Sequence, residues 1–300
     1  MIREIDVARI TETVADLCIR ANVLLNDDIA SALRRGVADE EKSLARDVLN
    51  ILLDNADVAR QDSLPICQDT GMAVVFIELG QDAHLTGGTL EEAINAGVAA
   101  GYERGCLRKS VVHDPINRIN TGDNTPAVVH VRIVPGNQLK ITVAPKGFGS
   151  ENMSRLVMLK PSDGLAGVKR VVLETVQSAG PNPCPPMIVG VGVGGTMEKA
   201  ALIAKEALLR PVRHANPDPF WAGVETELLA EVNRLDVGPA GFGGRTTALA
   251  VHINVYPTHI AGLPVAVNIG CHVTRHAEAV VSEDTTQRQQ SEVFKQQSGA

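Results

Sequence analysis

Asn182-Pro183-Cys184-Pro185-Pro186-Met187-Ile188-Val189-Gly190-Val191-Gly192-Val193-Gly194-Gly195 is the stretch on which the fold turns. A proline-rich loop opens directly onto an apolar, β-branched run, which predicts a buried strand over 187–193. The glycines end that strand, and Glu198 to Leu209 then reads as a helix. On either side the same alternation continues. Helices are predicted over Ser162–Ser178 and Pro219–Leu235, and strands over Thr247–Val255 and Pro264–Ile269. Further upstream, Ala73 to Leu79 reads as a buried strand and Leu90 to Glu103 as a helix, with Thr89 as its cap. Val129, Val131 and Ile133 alternate with polar residues, as do Leu139, Ile141 and Val143. Pro135-Gly136-Asn137 lies between them, which predicts a hairpin. Residues 4–60 read as helices, with Leu44, Val48, Ile51 and Leu52 on one apolar face.

Together these elements predict an α/β fold of mixed α+β type: a helical N-terminal region, then alternating strands and helices. One domain is expected over residues 1–280, followed by a polar, Gln-rich tail over 281–300. The sequence contains no internal repeat and no clear linker.

Gly190-x-Gly192-x-x-Gly195 formally fits a dinucleotide fingerprint. The preceding strand is short, however, and Asp218, the nearest acidic residue after the helix, sits in a Pro-rich turn. These glycines read instead as positions where another element packs closely.

Composition narrows the function. Aromatic residues make up 3% of the chain and the net charge is −7. Few stacking platforms and no basic surplus argue against a nucleic-acid partner. Charges at Arg3, Glu4 and Asp6 replace the apolar stretch of a signal peptide, and no run approaches a membrane span. A soluble, cytoplasmic protein is expected. Five cysteines spread over 300 residues do not form a disulfide framework.

Three of those cysteines stand at element ends rather than inside them. Cys67 lies in Pro65-Ile66-Cys67-Gln68-Asp69-Thr70-Gly71, Cys184 in the loop quoted above, and Cys271 in Gly270-Cys271-His272. They are 117 and 87 residues apart, so only folding could unite them. Three thiolates on one site, without a fourth, would leave a metal position open for substrate. The alternative is three unrelated buried thiols, since none of the spacings is a short metal motif. Cys18 reads as a core thiol. Cys106 reads equally as a fourth ligand or as a filler at a helix end.

Several phrases resemble one family in its own order: Cys67-Gln68-Asp69-Thr70-Gly71, Gly149-Ser150-Glu151-Asn152, the Cys184 loop, Gly190 to Gly195, and Gly270-Cys271. They are similar to the iron–sulfur hydro-lyases, and more narrowly to the α subunit of class I fumarate hydratase and its relative, L-tartrate dehydratase. The resemblance spans about residues 5–280. It implies an oxygen-sensitive [4Fe-4S] cluster on Cys67, Cys184 and Cys271, whose fourth iron binds substrate. It implies reversible hydration of fumarate to L-malate, a step of the tricarboxylic acid cycle. Asp69 takes an acid–base role at the substrate hydroxyl. Taken alone, an Asp before Thr-Gly is more simply a turn residue bonding its own backbone.

The resemblance also places Gln68, Arg108, Gly149, Ser150 and His259 at the substrate, with His259 as an active-site histidine. Lys146 and Arg275 are further candidates that read as well as solvated cations. Single-chain members of the family carry a second domain with further Arg and Lys residues and a Thr proposed as base. None follows here, which implies a separate β subunit and an α2β2 assembly. Within the family, Gly149 to Asn152 is closer to the fumarase branch than to the tartrate branch. Two other readings stand beside it: a non-catalytic iron–sulfur or redox-sensing protein, and a zinc protein using Cys271, His272 and His276.

Overall fold

The structure, a computed structural model, describes residues 2–281. Residues 282–300 of the expected tail lie outside the described residues. The chain runs β1 (Arg3–Asp6), α1 (Val7–Val23), α2 (Asp27–Asp39), α3 (Ser43–Asp62), β2 (Met72–Gly80), β3 (Ala83–Thr86), α4 (Leu90–Arg104), β4 (Val128–Val134) and β5 (Leu139–Lys146). It continues with the one-turn α5 (Phe148–Glu151), β6 (Arg155–Leu159), α6 (Gly164–Ala179), β7 (Met187–Gly194), α7 (Met197–Ala207), α8 (Pro219–Asn233), β8 (Ala248–Tyr256), β9 (Leu263–Gly270) and β10 (Ala277–Val280). This is the mixed α/β class that the sequence predicts. No helix among the described residues is long and apolar enough to cross a membrane.

Two compact units divide the chain, each built from separated segments. Among the described residues, the first comprises 2–21, 72–145 and 276–281. Its larger sheet has the order β10-β5-β2-β4, and β1 pairs with β3 in a second, parallel sheet. Ile10, Val14, Leu17 and Cys18 of α1 pack with Ile94, Val98 and Tyr102 of α4, over Val75 and Ile77 of β2. Gly97 allows the two helices to approach, because a Cβ there would lie 2.6 Å from the Thr11 carbonyl oxygen. Thr89 caps α4 as expected, its Oγ1 accepting from the Glu92 amide at 3.3 Å.

The expected hairpin does not form. β4 and β5 are strands, but β2 lies between them, and β4 pairs parallel to β2 with Val74 opposite Val128. Burial explains the order. β2 is buried along most of its length, whereas Val131 and Ile133 of β4 are more than half exposed. The more apolar strand takes the interior and the mixed one takes an edge.

The second unit comprises residues 22–71 and 146–275. Its sheet has the order β6-β9-β7-β8, with β7 parallel to β8 and antiparallel to β9. Every residue of β7 is buried. Met187, Val189, Val191 and Val193 pack in one cluster with Val168, Val172 and Val176 of α6 and Val224 and Leu228 of α8. The alternate residues Ile188, Gly190 and Gly192 meet α2, α3 and α7. This two-sided cover is why the strand reads as one apolar run rather than an alternation.

The two glycines serve packing, as expected. A Cβ on Gly190 would fall 2.2 Å from the Ala204 carbonyl oxygen, and one on Gly192 would fall 2.0 Å from that of Ala200. The backbone of α7 therefore lies directly against β7. The expected face of α3 is displaced by one residue. Ala45, Leu49, Ala56 and Ala59 are buried, while Leu44 and Ile51 are 53% and 62% exposed. Small alanines and Leu49 seat this helix against its neighbours, while Leu44 and Ile51 point outward.

Candidate active site

The two strands that bring cysteines to one end of the second unit are β7 and β9. Gly270 pairs with Ile188, so Cys271, which follows β9, emerges beside the loop that precedes β7 and carries Cys184. His272 ties the loops together. Its backbone N–H and its ring Nδ1 both reach the Cys184 carbonyl oxygen, at 3.3 and 2.9 Å. Because a carbonyl only accepts, Nδ1 carries the proton. Burial lowers the His272 pKa, so the ring is held neutral. Cys184 itself occupies the left-handed region at φ 53°, at a cost on the order of 1–2 kcal/mol for a residue with a Cβ.

Cys67 arrives from α3. Asn55 donates to the Ile66 carbonyl at 2.9 Å, and the Ile66 amide donates to Asn22 at 2.9 Å. Ile66 is buried in the cluster against which Cys271 packs. The three thiols feel one another. Burial raises the Cys184 pKa first, and the charges of Cys271 and Cys67 raise it further. Burial also raises Cys271, opposed first by Arg275 and then by Lys146. Cys67, Cys184 and Cys271 therefore lie within Coulomb range of one another.

Asp69 does two things. Its Oδ1 accepts from the Gly71 amide at 3.1 Å, the turn arrangement expected of an Asp before Thr-Gly. Its Oδ2 accepts from the Phe148 amide at 2.9 Å. These two amides, from different segments, fix the orientation of the carboxylate. Gly71, at φ 74°, is required here, since a Cβ would lie 2.6 Å from the Lys146 backbone. Gln68 is exposed beside it. The Cys67 thiol donates to the Gln68 Oε1 at 3.4 Å, and the Asp69 amide donates back to the same sulfur at 3.4 Å.

Gly149 and Ser150, which the resemblance places at the substrate, belong to the one-turn helix α5, and the amide at its start is the one that holds Asp69. Ser150 is buried. Its hydroxyl accepts from Lys146 at 2.6 Å and donates to the Gly147 carbonyl at 3.2 Å, so its only proton is engaged. Arg275 is buried rather than solvated, and its Nη2 donates to the Asp69 carbonyl. Lys146 is buried too, against Glu151.

His259 is not brought to the thiols. It lies on the β8–β9 loop, whose Thr258 donates to the Gly195 carbonyl at 2.9 Å. That is the far end of β7 from Cys184, and eight extended residues span about 25 Å. His259 there lines a cleft of about 450 Å³ with Trp221, Leu165 and Leu263. Arg108 and Cys106 belong to the first unit. Arg108 is exposed and donates to Ser110 at 3.0 Å, and Cys106 follows the end of α4 at φ 49°.

A profile of the family described as fumarate hydratase (Fumerase) matches residues 11–280. The chain belongs to the fumarate hydratase (Fumerase) family. One relative in Methanocaldococcus jannaschii, named "Putative L(+)-tartrate dehydratase subunit alpha", is 38% identical over 90% of this chain and 96% of its own length. The L(+)-tartrate dehydratase subunit alpha of Escherichia coli K12 is 31% identical over 93% of both chains, as is that of Shigella sonnei. This is the hydro-lyase family that the cysteine phrases resemble.

Among the described residues no three His, Cys, Asp or Glu side chains gather tightly enough to chelate one ion. His272, named in the zinc reading, spends Nδ1 on Cys184. Three soft thiols that share a field without closing on one point suit a cluster spread over several atoms. Sequence reading left out three members of the site. Glu151, Lys205 and Asn268 join Lys146 in a half-buried polar network. Asn268 had a signal of its own, a lone amide inside the apolar run of β9. Lys205 had none.

Proposed function

We propose that this chain is the cluster-bearing α subunit of an iron–sulfur hydro-lyase acting on a small 2-hydroxydicarboxylate. The observation that carries the reading is the convergence of Cys67, Cys184 and Cys271 at one end of a sheet with Asp69 two residues from the first. In this reading the three thiolates hold a [4Fe-4S] cluster, which supplies, when bound, a Lewis-acidic iron for the substrate hydroxyl. The chain's own residues do the rest. Asp69, oriented by the Gly71 and Phe148 amides, gives or takes the proton at that hydroxyl. Arg108, Gln68 and the Gly149 backbone bind the substrate carboxylates. Arg275 fixes the Asp69 loop through the Asp69 carbonyl.

Two substrates fit this chemistry. The relatives' names support L-tartrate. The phrase Gly149-Ser150-Glu151-Asn152 supports fumarate and L-malate. Those names, each a subunit alpha, also support a separate β chain that completes the site; the α2β2 stoichiometry rests on the family resemblance alone. Thiolate ligands of this kind suit a reducing compartment such as the cytoplasm.

The test is anaerobic loading with iron and sulfide, pairing with a β chain, and turnover of L-malate against L-tartrate. Preference for one acid identifies the branch. A loaded pair that dehydrates neither supports the non-catalytic reading instead.

A further inference from the structure

Beside the thiols lies a buried charge that substrate binding does not explain. The Lys146 side chain is only 12% exposed. An ammonium has three N–H donors, and three oxygens surround this one: Ser150 Oγ at 2.6 Å, the Gly147 carbonyl at 3.4 Å and Glu151 Oε2 at 3.4 Å. It cannot take a substrate carboxylate without giving one of them up.

Nor is it a closed ion pair. Glu151 Oε1 accepts from Lys205 at 2.6 Å, and Oε2 also accepts from Asn268 at 2.8 Å. Two ammonium groups on one carboxylate leave a surplus of positive charge. That surplus lies beside the thiol loops: Asn268, which donates to Glu151 Oε2, stands near the end of β9 just before Cys271, and the Lys146 backbone packs against Gly71 in the Cys67 loop. The Glu151 carboxylate beside it favours the charged ammonium.

We propose that Lys146 is the fixed counter-charge of the thiol site, a positioning residue kept in place by Ser150 and by the Glu151–Lys205–Asn268 frame. Its role is to stabilise negative charge on the group that the three thiols hold. This inference rests on the cluster reading above. The potential of an iron–sulfur cluster follows its net charge and surroundings, and a buried cation favours the more negative, reduced form.

The experiment uses the chain loaded anaerobically with iron and sulfide, as wild type, Lys146→Met, Lys146→Gln and Lys146→Arg. Iron and sulfide content is measured first, and then the one-electron midpoint by paramagnetic resonance during a reductive titration. At the wild-type midpoint, the reduced-to-oxidised ratio of the Met variant should fall at least tenfold, which is 59 mV for one electron. The Arg variant should stay within twofold. Lys146→Gln keeps a donor for Ser150 and gives the same reading if the Met variant does not fold. Loaded neutral variants within twofold of wild type would overturn the role of Lys146 and leave the cluster reading intact. A wild-type chain that takes up no cluster would overturn both.

Discussion

At the scale of single residues, Asp69 shows how a turn residue can also be a reacting one. Its carboxylate is fixed by two amides from different segments, Gly71 and Phe148. Asp69→Asn preserves the size and the turn but removes the exchangeable proton. The loaded variant should keep its brown absorbance and lose about 10²–10⁴ in dehydration rate; a near-normal rate would remove Asp69 from the chemistry. Cys67→Ser, Cys184→Ser and Cys271→Ser should each lose the absorbance. Cys18→Ser should keep it, because burial pushes the Cys18 thiol up to about 12 and holds it as a core group. Four variants that load alike would remove the ligand assignment.

His252 gives a second residue-scale prediction. It is buried, its Nδ1 lies 3.1 Å from the Ala207 carbonyl, and burial lowers its pKa from 6.5 to about 4. Between those values the unfolded chain takes up a proton that the folded one refuses. Stability is therefore full above the unfolded value and falls as pH drops from about 6.5 towards 4, by at most about 3 kcal/mol. His252→Asn should flatten that slope in urea unfolding measured across the window. Sequence reading found Asp69 and the cysteines because their motifs are local. It left Arg275 open between a site candidate and a solvated cation, and it placed His259 by resemblance alone; burial and the end of a strand that a loop occupies are not local features.

At the scale of elements, the sequence is most legible where one element explains itself. β7, α4 with its Thr89 cap and α8 all fall within a few residues of their expected bounds. The misreadings share a cause. The hairpin of β4 and β5 looks complete locally, and only the burial of β2 shows which strand must lie between them. The face of α3 reads towards its largest apolar residues, whereas close packing selects Ala45, Ala56 and Ala59. The glycines of β7 are the reverse case, since their meaning lies in α7. Gly192→Ala places a methyl 2.0 Å from the Ala200 carbonyl, where backbone rather than a flexible side chain must give way. It should cost at least about 2 kcal/mol, read as a lower urea midpoint, with Gly223→Ala, which meets nothing within 4 Å, as the control. Equal midpoints would mean that α7 can move aside.

At the scale of the whole molecule, the thiols and the frame around Lys146 are contained in one compact unit, built from residues 22–71 and 146–275. Cluster holding and turnover should therefore separate. The α chain alone has the three thiols, their tie through His272 and the Asp69 loop, all within that unit. It should take up iron and sulfide without a partner. Turnover asks for more, because two substrate carboxylates need cationic partners, and the buried cations are engaged: Lys146 with Ser150 and Glu151, and Arg275 with the Asp69 carbonyl. Adding a β chain to the preloaded α chain should raise dehydration from near background by at least 10²-fold with no change in iron content. A loaded α chain that turns over fully by itself would show that Arg108 and its neighbours suffice, and would remove the β subunit from the mechanism.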